Sequence, residues 1–151
     1  MFTQDTAKEF AAHQQLILIC GHYEGFDARI YDLADRIVSV GDFVLTGGEI
    51  PAMIVVDATA RMLAGVLGDA ASAPTDSFFE DLLGCPQYTR PREFEGKAVP
   101  DVLLSGDHAA IARWRREQAL LMTLRHRPEL LANAKLSQAD RDFLAEQEKR
   151  R

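Results

Sequence analysis

Two glycine-rich turns, each preceded by a short apolar run, stand out in the first third of the chain. The apolar run at residues 16–20 leads into the turn at 21–25, and the run at 36–40 leads into the longer turn at 41–49. Glycine adopts positive φ and lets main-chain N–H and C=O groups approach a ligand closely. Apolar strands that end in such turns place the ligand at their carboxyl ends, the usual binding edge of an open α/β sheet. The sequence therefore predicts a cofactor pocket built largely from backbone.

A carboxylate and a guanidinium are the side chains best suited to acid–base chemistry beside such a pocket. Asp76 lies in the acidic-serine stretch 75–78, and Arg61 lies in an otherwise apolar part of a long predicted helix. A carboxylate can serve as a general base, and an arginine can stabilise charge that develops on an oxygen. Each residue also has an ordinary structural alternative: Asp76 as a helix N-cap, and Arg61 as a surface arginine on the polar stripe of its helix. The residues alone leave these alternatives open.

The elements that must position these residues follow from the spacing of apolar residues and from capping residues. The spacing predicts helices over 3–14, 25–33, 48–67, 76–83, 107–125 and 137–149, and strands over 16–20 and 36–40. Ser105 or Asp107 is expected to cap the helix at 107–125, and Ser137 the last helix.

These elements divide the chain into an α/β part at 1–67, a small polar linker at 68–77 and a helical part at 78–151. Residues 88–100, which two prolines interrupt, are predicted to be irregular. The fold class that follows is α/β, with a parallel sheet ahead of a mostly helical domain.

Charge is unevenly distributed along the chain. The net charge of −6 counts against nucleic-acid binding by the chain as a whole. Between Arg113 and Leu131, however, Glu117 and Glu129 are the only acids, and the same segment carries five arginines. A solvated helix face and a local nucleic-acid contact are the two explanations of this basic segment.

The sequence has no pattern typical of a metal site or of a membrane-spanning segment. Cys20 and Cys85 have neither CxxC nor Cys/His spacing, and the histidines lack ligand spacing to one another, so no metal site is predicted. No apolar run reaches the roughly 18 residues of a membrane helix. The first residues lack the basic segment and long apolar core of a secretory signal. A cytoplasmic location is the expectation.

Three further segments carry a resemblance to a known family. They are residues 75–78, the run Leu-Gly-Cys-Pro-Gln-Tyr-Thr-Arg-Pro at 83–91 and the run Val-Pro-Asp-Val-Leu-Leu-Ser-Gly-Asp-His at 99–108. With the two glycine turns, in this order, they closely resemble the bacterial tRNA (guanine-N1)-methyltransferase family over about residues 2–131. The resemblance implies part of a SPOUT-type trefoil-knotted parallel sheet, followed by a mostly α-helical C-terminal domain that binds tRNA.

The resemblance also implies an activity, the S-adenosylmethionine-dependent transfer of a methyl group to N1 of the guanine just 3′ of the tRNA anticodon. It assigns Asp76 as the catalytic base and Arg61 as a donor to guanine O6. It implies a homodimer in which each site combines the cofactor part of one subunit with the C-terminal part of the other. The family is also reported to depend on magnesium, for which this sequence shows no site.

Position by position, the resemblance assigns the remaining site residues. The implied cofactor contacts are Gly21, Tyr23, Glu24, Gly25, Val40, Gly41, Asp42, Phe43, Val44, Leu45, Gly47, Gly48 and Pro51. The implied tRNA contacts are Ser72, Ser77, Arg90, Arg113, Arg115 and Arg116. His22 stands where the family often has arginine, which weakens any role for a cation at that position.

Family members carry a long opening segment, with further strands, that has no counterpart ahead of Phe2. Two strands do not make a sheet that could bury this much apolar surface, so we expect methyl transfer by the isolated chain to be absent or severely reduced. The alternative to an enzyme is an inactive fragment that dimerises or binds tRNA. A small α/β nucleotide-binding module outside the family has less support, because neither GxGxxG nor GxxxxGK[ST] occurs.

Overall fold

Two packed helices form the frame of the first half of the chain. The computed structural model describes residues 1–69 and 72–149, and it divides into an N-terminal unit, Met1–Ala73, and a C-terminal unit that begins at Pro74. In the N-terminal unit, α1 spans Gln4–Ala11 and α2 spans Glu49–Ala60. The two helices pack against each other, and the buried side chains of this unit include Ala7, Phe10 and Val55.

Both helices are shorter than the apolar spacing predicts. α1 ends at Ala11, and α2 ends at Ala60, seven residues before the predicted end. Beyond α2 the chain continues in turns, and Gly65 has a φ of +82°, a conformation that a right-handed helix cannot contain. The helix predicted over 25–33 is a 3₁₀ helix, Ala28–Leu33, with the Asp27 carboxylate accepting from a backbone N–H at its start.

The prediction of strands at 16–20 and 36–40 is wrong, and the structure does not confirm the predicted parallel sheet. Neither segment has a paired strand beside it in the described residues, and both run without regular secondary structure; they are called the extended segments below. Their apolar side chains are correspondingly uncovered: Ile17 is 79% exposed and Ile37 is 70% exposed. Apolar sequence predicts where a strand could form, but a strand exists only where a neighbour completes its hydrogen bonds.

The C-terminal unit is built around one long helix. α4 spans His108–His126, and the Asp107 carboxylate accepts from the N–H groups of Ala109 and Ala110, which confirms the predicted cap. α5 spans Gln138–Lys149, and Ser137 accepts from the Asp140 N–H at its start, also as predicted. Leu82, Leu120 and Leu144 form the buried core, surrounded by half-buried Leu124, Leu131, Ala134, Leu136 and Phe143.

The prediction of a helix at 76–83 is wrong. A single helical turn, α3 at Ser72–Thr75, comes earlier, within the predicted linker, of which residues 70 and 71 lie outside the described residues. After α3 the chain makes a turn closed by a hydrogen bond from the Phe78 N–H to the Leu82 carbonyl, with Phe78 at a φ of +67°. Positive φ is incompatible with a helix, so no helix exists here for Asp76 to cap.

The segment at 88–100, predicted to be irregular, contains the only sheet in the described part of the chain. β1 at Glu93–Phe94 pairs antiparallel with β2 at Lys97–Ala98. The two residues between them, Glu95 and Gly96, both have positive φ, as a two-residue hairpin turn requires. The chain then passes through 3₁₀ helices at Asp101–Leu104 and Pro128–Ala132, which precede and follow α4.

An ion pair joins α4 to α5. Arg116 donates from Nε to Asp140 Oδ1 at 3.3 Å and from Nη2 to Asp140 Oδ2 at 3.0 Å. Asp140 is buried, and desolvation acts to raise the pKa of its carboxyl. Hydrogen bonds from Arg116 and Ser137 outweigh that cost, so the pKa lies below its ordinary value. A lowered carboxyl pKa contributes stability above the unfolded-state pKa, and that stability is lost as the pH falls through the folded-state pKa.

We expect Asp140→Asn to lower the free energy of unfolding of the C-terminal unit by about 2 kcal/mol at pH 7, because it removes the charge opposite Arg116, whose side chain is 33% exposed and so partly screened by solvent. The difference from the parent chain should shrink as the pH falls below about 4. Urea unfolding followed by the fluorescence of Trp114, the one tryptophan of the chain, measures both effects. Asp142→Asn, on the exposed face of α5, is the control; an equal loss in both variants would contradict the assignment.

Candidate functional site

The two glycine turns meet in the N-terminal unit. The Gly48 N–H donates to the Gly21 carbonyl at 2.9 Å, and His22 pairs with Gly47 in an isolated antiparallel bridge. This contact joins the first turn to the start of α2 across a sequence separation of 27 residues. The structure therefore brings together the two segments that the sequence marked as one pocket.

Contact at this distance requires a glycine. A Cβ at Gly48 would lie 2.8 Å from Cys20 Cα and 3.0 Å from the Gly21 nitrogen, and backbone atoms cannot move aside as a flexible side chain can. Gly25, at the end of the first turn, has a φ of +121°, which only glycine adopts without strain. At these two positions the backbone geometry therefore requires glycine.

A side-chain pair spans the same junction. His22 Nε2 lies 2.5 Å from Glu49 Oε1, and each residue directly follows a glycine that touches the opposite turn. The pKa of the Glu49 carboxyl is below its ordinary value, mainly because the carboxylate accepts from its own backbone N–H; partial desolvation opposes this shift, and His22 adds to it. The sequence analysis did not pair these two residues, although their positions beside Gly21 and Gly48 were a usable signal.

A broad cleft of about 1200 Å³ opens along the two turns, α2 and the extended segments. Every residue assigned to the cofactor lines it except Asp42; the lining members are Gly21, Tyr23, Glu24, Gly25, Val40, Gly41, Phe43, Val44, Leu45, Gly47, Gly48 and Pro51. Tyr23 and Val44, at the tips of the turns, are almost wholly exposed. The cleft combines main-chain polar groups with apolar side chains, which suits a ligand with both polar and apolar parts.

The residues assigned to catalysis lie at two helix ends. Arg61 caps the C-terminus of α2, where its N–H donates to the Asp57 carbonyl at 3.2 Å, and it is half-buried. Asp76 belongs to the C-terminal unit, is exposed and directly follows α3. Ser72 begins α3, and Ser77 Oγ accepts from the Gly84 N–H at 2.8 Å. The structure thus assigns Ser77 a turn-forming contact that the sequence analysis did not anticipate.

The turn that follows Asp76 is fastened to α4. The Leu83 N–H donates to Thr123 Oγ1 at 2.9 Å, and Thr123 is fully buried. Arg127 lies over the Phe78 ring, with its guanidinium carbon 5.6 Å from the centroid. These contacts hold the segment after Asp76 against α4 and Arg127. The periodicity of the sequence could not reveal them.

The arginines assigned to tRNA fall into two groups. Arg90, Arg113 and Arg115 are exposed, and none of them forms an ion pair within residues 1–69 and 72–149. Arg116 pairs with Asp140, donates to the Lys135 carbonyl at 3.0 Å and lies 3.5 Å from Glu80. Arg116 therefore has a structural partner already, whereas the other three present free guanidinium groups to solvent.

Across the described residues, no group of three or more histidine, cysteine, aspartate or glutamate side chains is arranged to hold a metal ion. None of the helices described here is both long enough and apolar enough to cross a membrane.

The two joined glycine turns and α2 thus line one open cleft in the N-terminal unit. Comparison with known proteins identifies the family of the chain. Residues 1–133 match the family model described as tRNA (Guanine-1)-methyltransferase TrmD. The chain belongs to this family, and the family implies an α/β fold.

Curated relatives share more than half of their aligned residues with this chain. A protein of Moorella thermoacetica named tRNA (guanine-N(1)-)-methyltransferase is 58% identical over 96% of this chain and 58% of its own length. Proteins of the same name from Geobacter sulfurreducens and Desulforamulus reducens are 57% and 55% identical, over 95% and 96% of this chain and 59% and 58% of their own lengths. The chain therefore spans about three-fifths of the length of the relatives that it matches.

Proposed function

We propose that the chain contributes to S-adenosylmethionine-dependent methylation of N1 of the guanine 3′ of the tRNA anticodon. The observation that carries the proposal is the contact between Gly21 and Gly48, which forms one backbone-lined cleft in a chain of this family. The names of the relatives support the reaction and the tRNA substrate.

The cleft suits the methyl donor in size and chemistry. Its volume of about 1200 Å³ exceeds what a ligand of this size needs. Main-chain groups at Gly21, Gly47 and Gly48 would bind the adenosine polar atoms, and Phe43 and Leu45 would contact the apolar faces. When bound, the donor supplies an electrophilic methyl group with a neutral thioether as its leaving group, so the chemistry needs no metal from these residues.

The remaining task is to remove the proton from guanine N1. Asp76 is the proposed base: its carboxylate is exposed, and the turn after it is fastened to α4 through Thr123. A positioned carboxylate typically accelerates such a proton transfer 10²–10⁴-fold, as an order of magnitude. Arg61 is the proposed donor to guanine O6, where negative charge develops as N1 loses its proton.

Recognition of tRNA is assigned to the exposed arginines of the C-terminal unit. Arg90, Arg113 and Arg115 carry the phosphate contacts in this proposal, and Ser72 and Ser77 help to position the substrate. Arginine suits phosphate because its planar fork donates two parallel hydrogen bonds. The ion pair of Arg116 with Asp140 favours a supporting role for that residue, although a tRNA contact by Arg116 stays a prediction.

The proposed working form is a cytoplasmic homodimer with a trefoil-knotted parallel sheet. Support comes from apolar surface that the chain leaves uncovered: Met53 of α2 is 70% exposed and Val56 is 56% exposed, and Ile17 and Ile37 of the extended segments are exposed as well. Uncovered apolar surface of this extent is typical of interfaces. The extended segments would become strands once partner strands complete their hydrogen bonds.

Calorimetric titration with S-adenosylmethionine tests the cofactor assignment. We expect micromolar binding by the parent chain and at least tenfold weaker binding by Gly48→Ala, because the added Cβ would push Cys20 and Gly21 away. Gly68→Ala is the matched control, since nothing lies within 4 Å of a Cβ at that position. Asp76→Ala should bind the cofactor as the parent does. A folded parent chain that binds no S-adenosylmethionine would contradict the proposal.

Binding of tRNA tests the second assignment. Arg113→Ala and Arg115→Ala should each weaken tRNA binding several-fold at low salt, because each removes about one phosphate contact and reduces the salt dependence accordingly. Arg141→Ala, an exposed arginine of α5, is the control. Filter binding across a salt series measures both quantities. If all three variants lose affinity equally, the contact is a general charge effect and the assignment to α4 is wrong.

A further inference from the structure

The side chains of His22 and Glu49 form a hydrogen bond that spans the junction of the two turns. His22 lies in the first turn and Glu49 at the first residue of α2, and the two side chains meet at 2.5 Å. Gly48, which directly precedes Glu49, donates its N–H to Gly21, the neighbour of His22. The side-chain pair and the backbone hydrogen bond therefore bridge the same two segments in parallel.

The pair packs over the second turn at position 47. A Cβ there would lie 2.5 Å from Glu49 Oε2 and 3.0 Å from His22 Cε1. The imidazole and the carboxylate therefore lie directly over the backbone of Gly47. His22 faces Gly47 in the backbone bridge, next to the hydrogen bond from Gly48 to Gly21, so loss of the side-chain pair would loosen that hydrogen bond.

The charges favour a cationic partner for Glu49. Its carboxyl pKa is below the ordinary value, so it is ionised throughout the neutral range. As the first residue of α2 it also interacts favourably with the helix dipole, which holds the carboxylate in place. A cation on the first turn completes this arrangement, and His22 is the residue whose imidazole reaches it.

We infer that His22 is a positioning residue for the cofactor cleft: its imidazole, paired with Glu49, latches the first turn to the second and so raises cofactor affinity. The role in affinity rests on the proposed function, whereas the latch between the turns does not.

The groups around the imidazole make Glu49 its hydrogen-bond partner. Glu49 contacts it from α2, Tyr23 lies beside it with ring centroids 6.2 Å apart, and Glu24 follows in the same turn. The second turn faces it with Gly47, which has no side chain. Arginine at position 22 should keep the contact with Glu49, because a guanidinium donates well to a carboxylate.

Two readouts on the full chain test the inference. The first is the amide exchange protection of Gly48, whose N–H donates to Gly21, measured by NMR without cofactor. His22→Ala and Glu49→Gln should each lower this protection about fivefold, the upper range for a solvent-exposed ion pair, and the double variant should lower it no further. His22→Arg should restore it. The second readout is the dissociation constant for S-adenosylmethionine in the parent chain, in His22→Ala and in His22→Arg.

The two readouts separate the latch from the proposed function. We expect His22→Ala to bind S-adenosylmethionine about fivefold more weakly than the parent, and His22→Arg to bind it as the parent does. Unchanged Gly48 protection in His22→Ala would overturn the latch, and equal affinities of His22→Ala and the parent would overturn its role in cofactor binding. If Gly48 protection responds as expected but the parent binds no S-adenosylmethionine, the proposed function fails and the latch between the turns is supported.

Discussion

The close approach of the backbone at Gly21 to the backbone at Gly48 is the contact on which the candidate site depends. It closes a loop of 27 residues with a hydrogen bond of 2.9 Å, and it brings the two turns to one cleft. Closing such a loop costs conformational entropy. The pair between His22 and Glu49 lies where it can offset part of that cost.

In the C-terminal unit, α4 supports the short turn that follows the exposed carboxylate of Asp76. A buried threonine, Thr123, accepts from the Leu83 N–H and donates to the Ala119 carbonyl, so its hydroxyl is fully used within the helix and the turn. Arg116 joins α5 through Asp140 and comes within 3.5 Å of Glu80 in the same turn. One helix thus supports the segment of Asp76 and also carries the exposed Arg113 and Arg115.

The sequence predicts the parts of this molecule whose causes are local. Asp107 and Ser137 cap their helices as expected, because a cap needs only the residues of the next turn. The sequence also predicts the glycine turns, because a positive φ and a close approach of two backbone segments both favour glycine over other residues. The use of these turns by a cofactor, and the roles of Asp76 and Arg61, stay predictions.

The errors have non-local causes. Residues 16–20 and 36–40 have strand-like composition, but a strand needs hydrogen bonds from a neighbour that the described residues do not provide. The expected helix at 76–83 gave way to a turn because Leu83 contacts Thr123 in α4 and Phe78 contacts Arg127, which directly follows α4. The His22–Glu49 pair escaped notice because its members lie 27 residues apart.

The central claim, that the two turns form a single cofactor site, is tested most directly by amide NMR during titration with S-adenosylmethionine. The account predicts that the resonances of Gly21, Gly47 and Gly48 shift together, with one dissociation constant, while those of Leu120 and Thr123 in the core of the C-terminal unit stay in place. Shifts in only one of the two turns, or saturation of the protein with the glycine resonances unmoved, would contradict it.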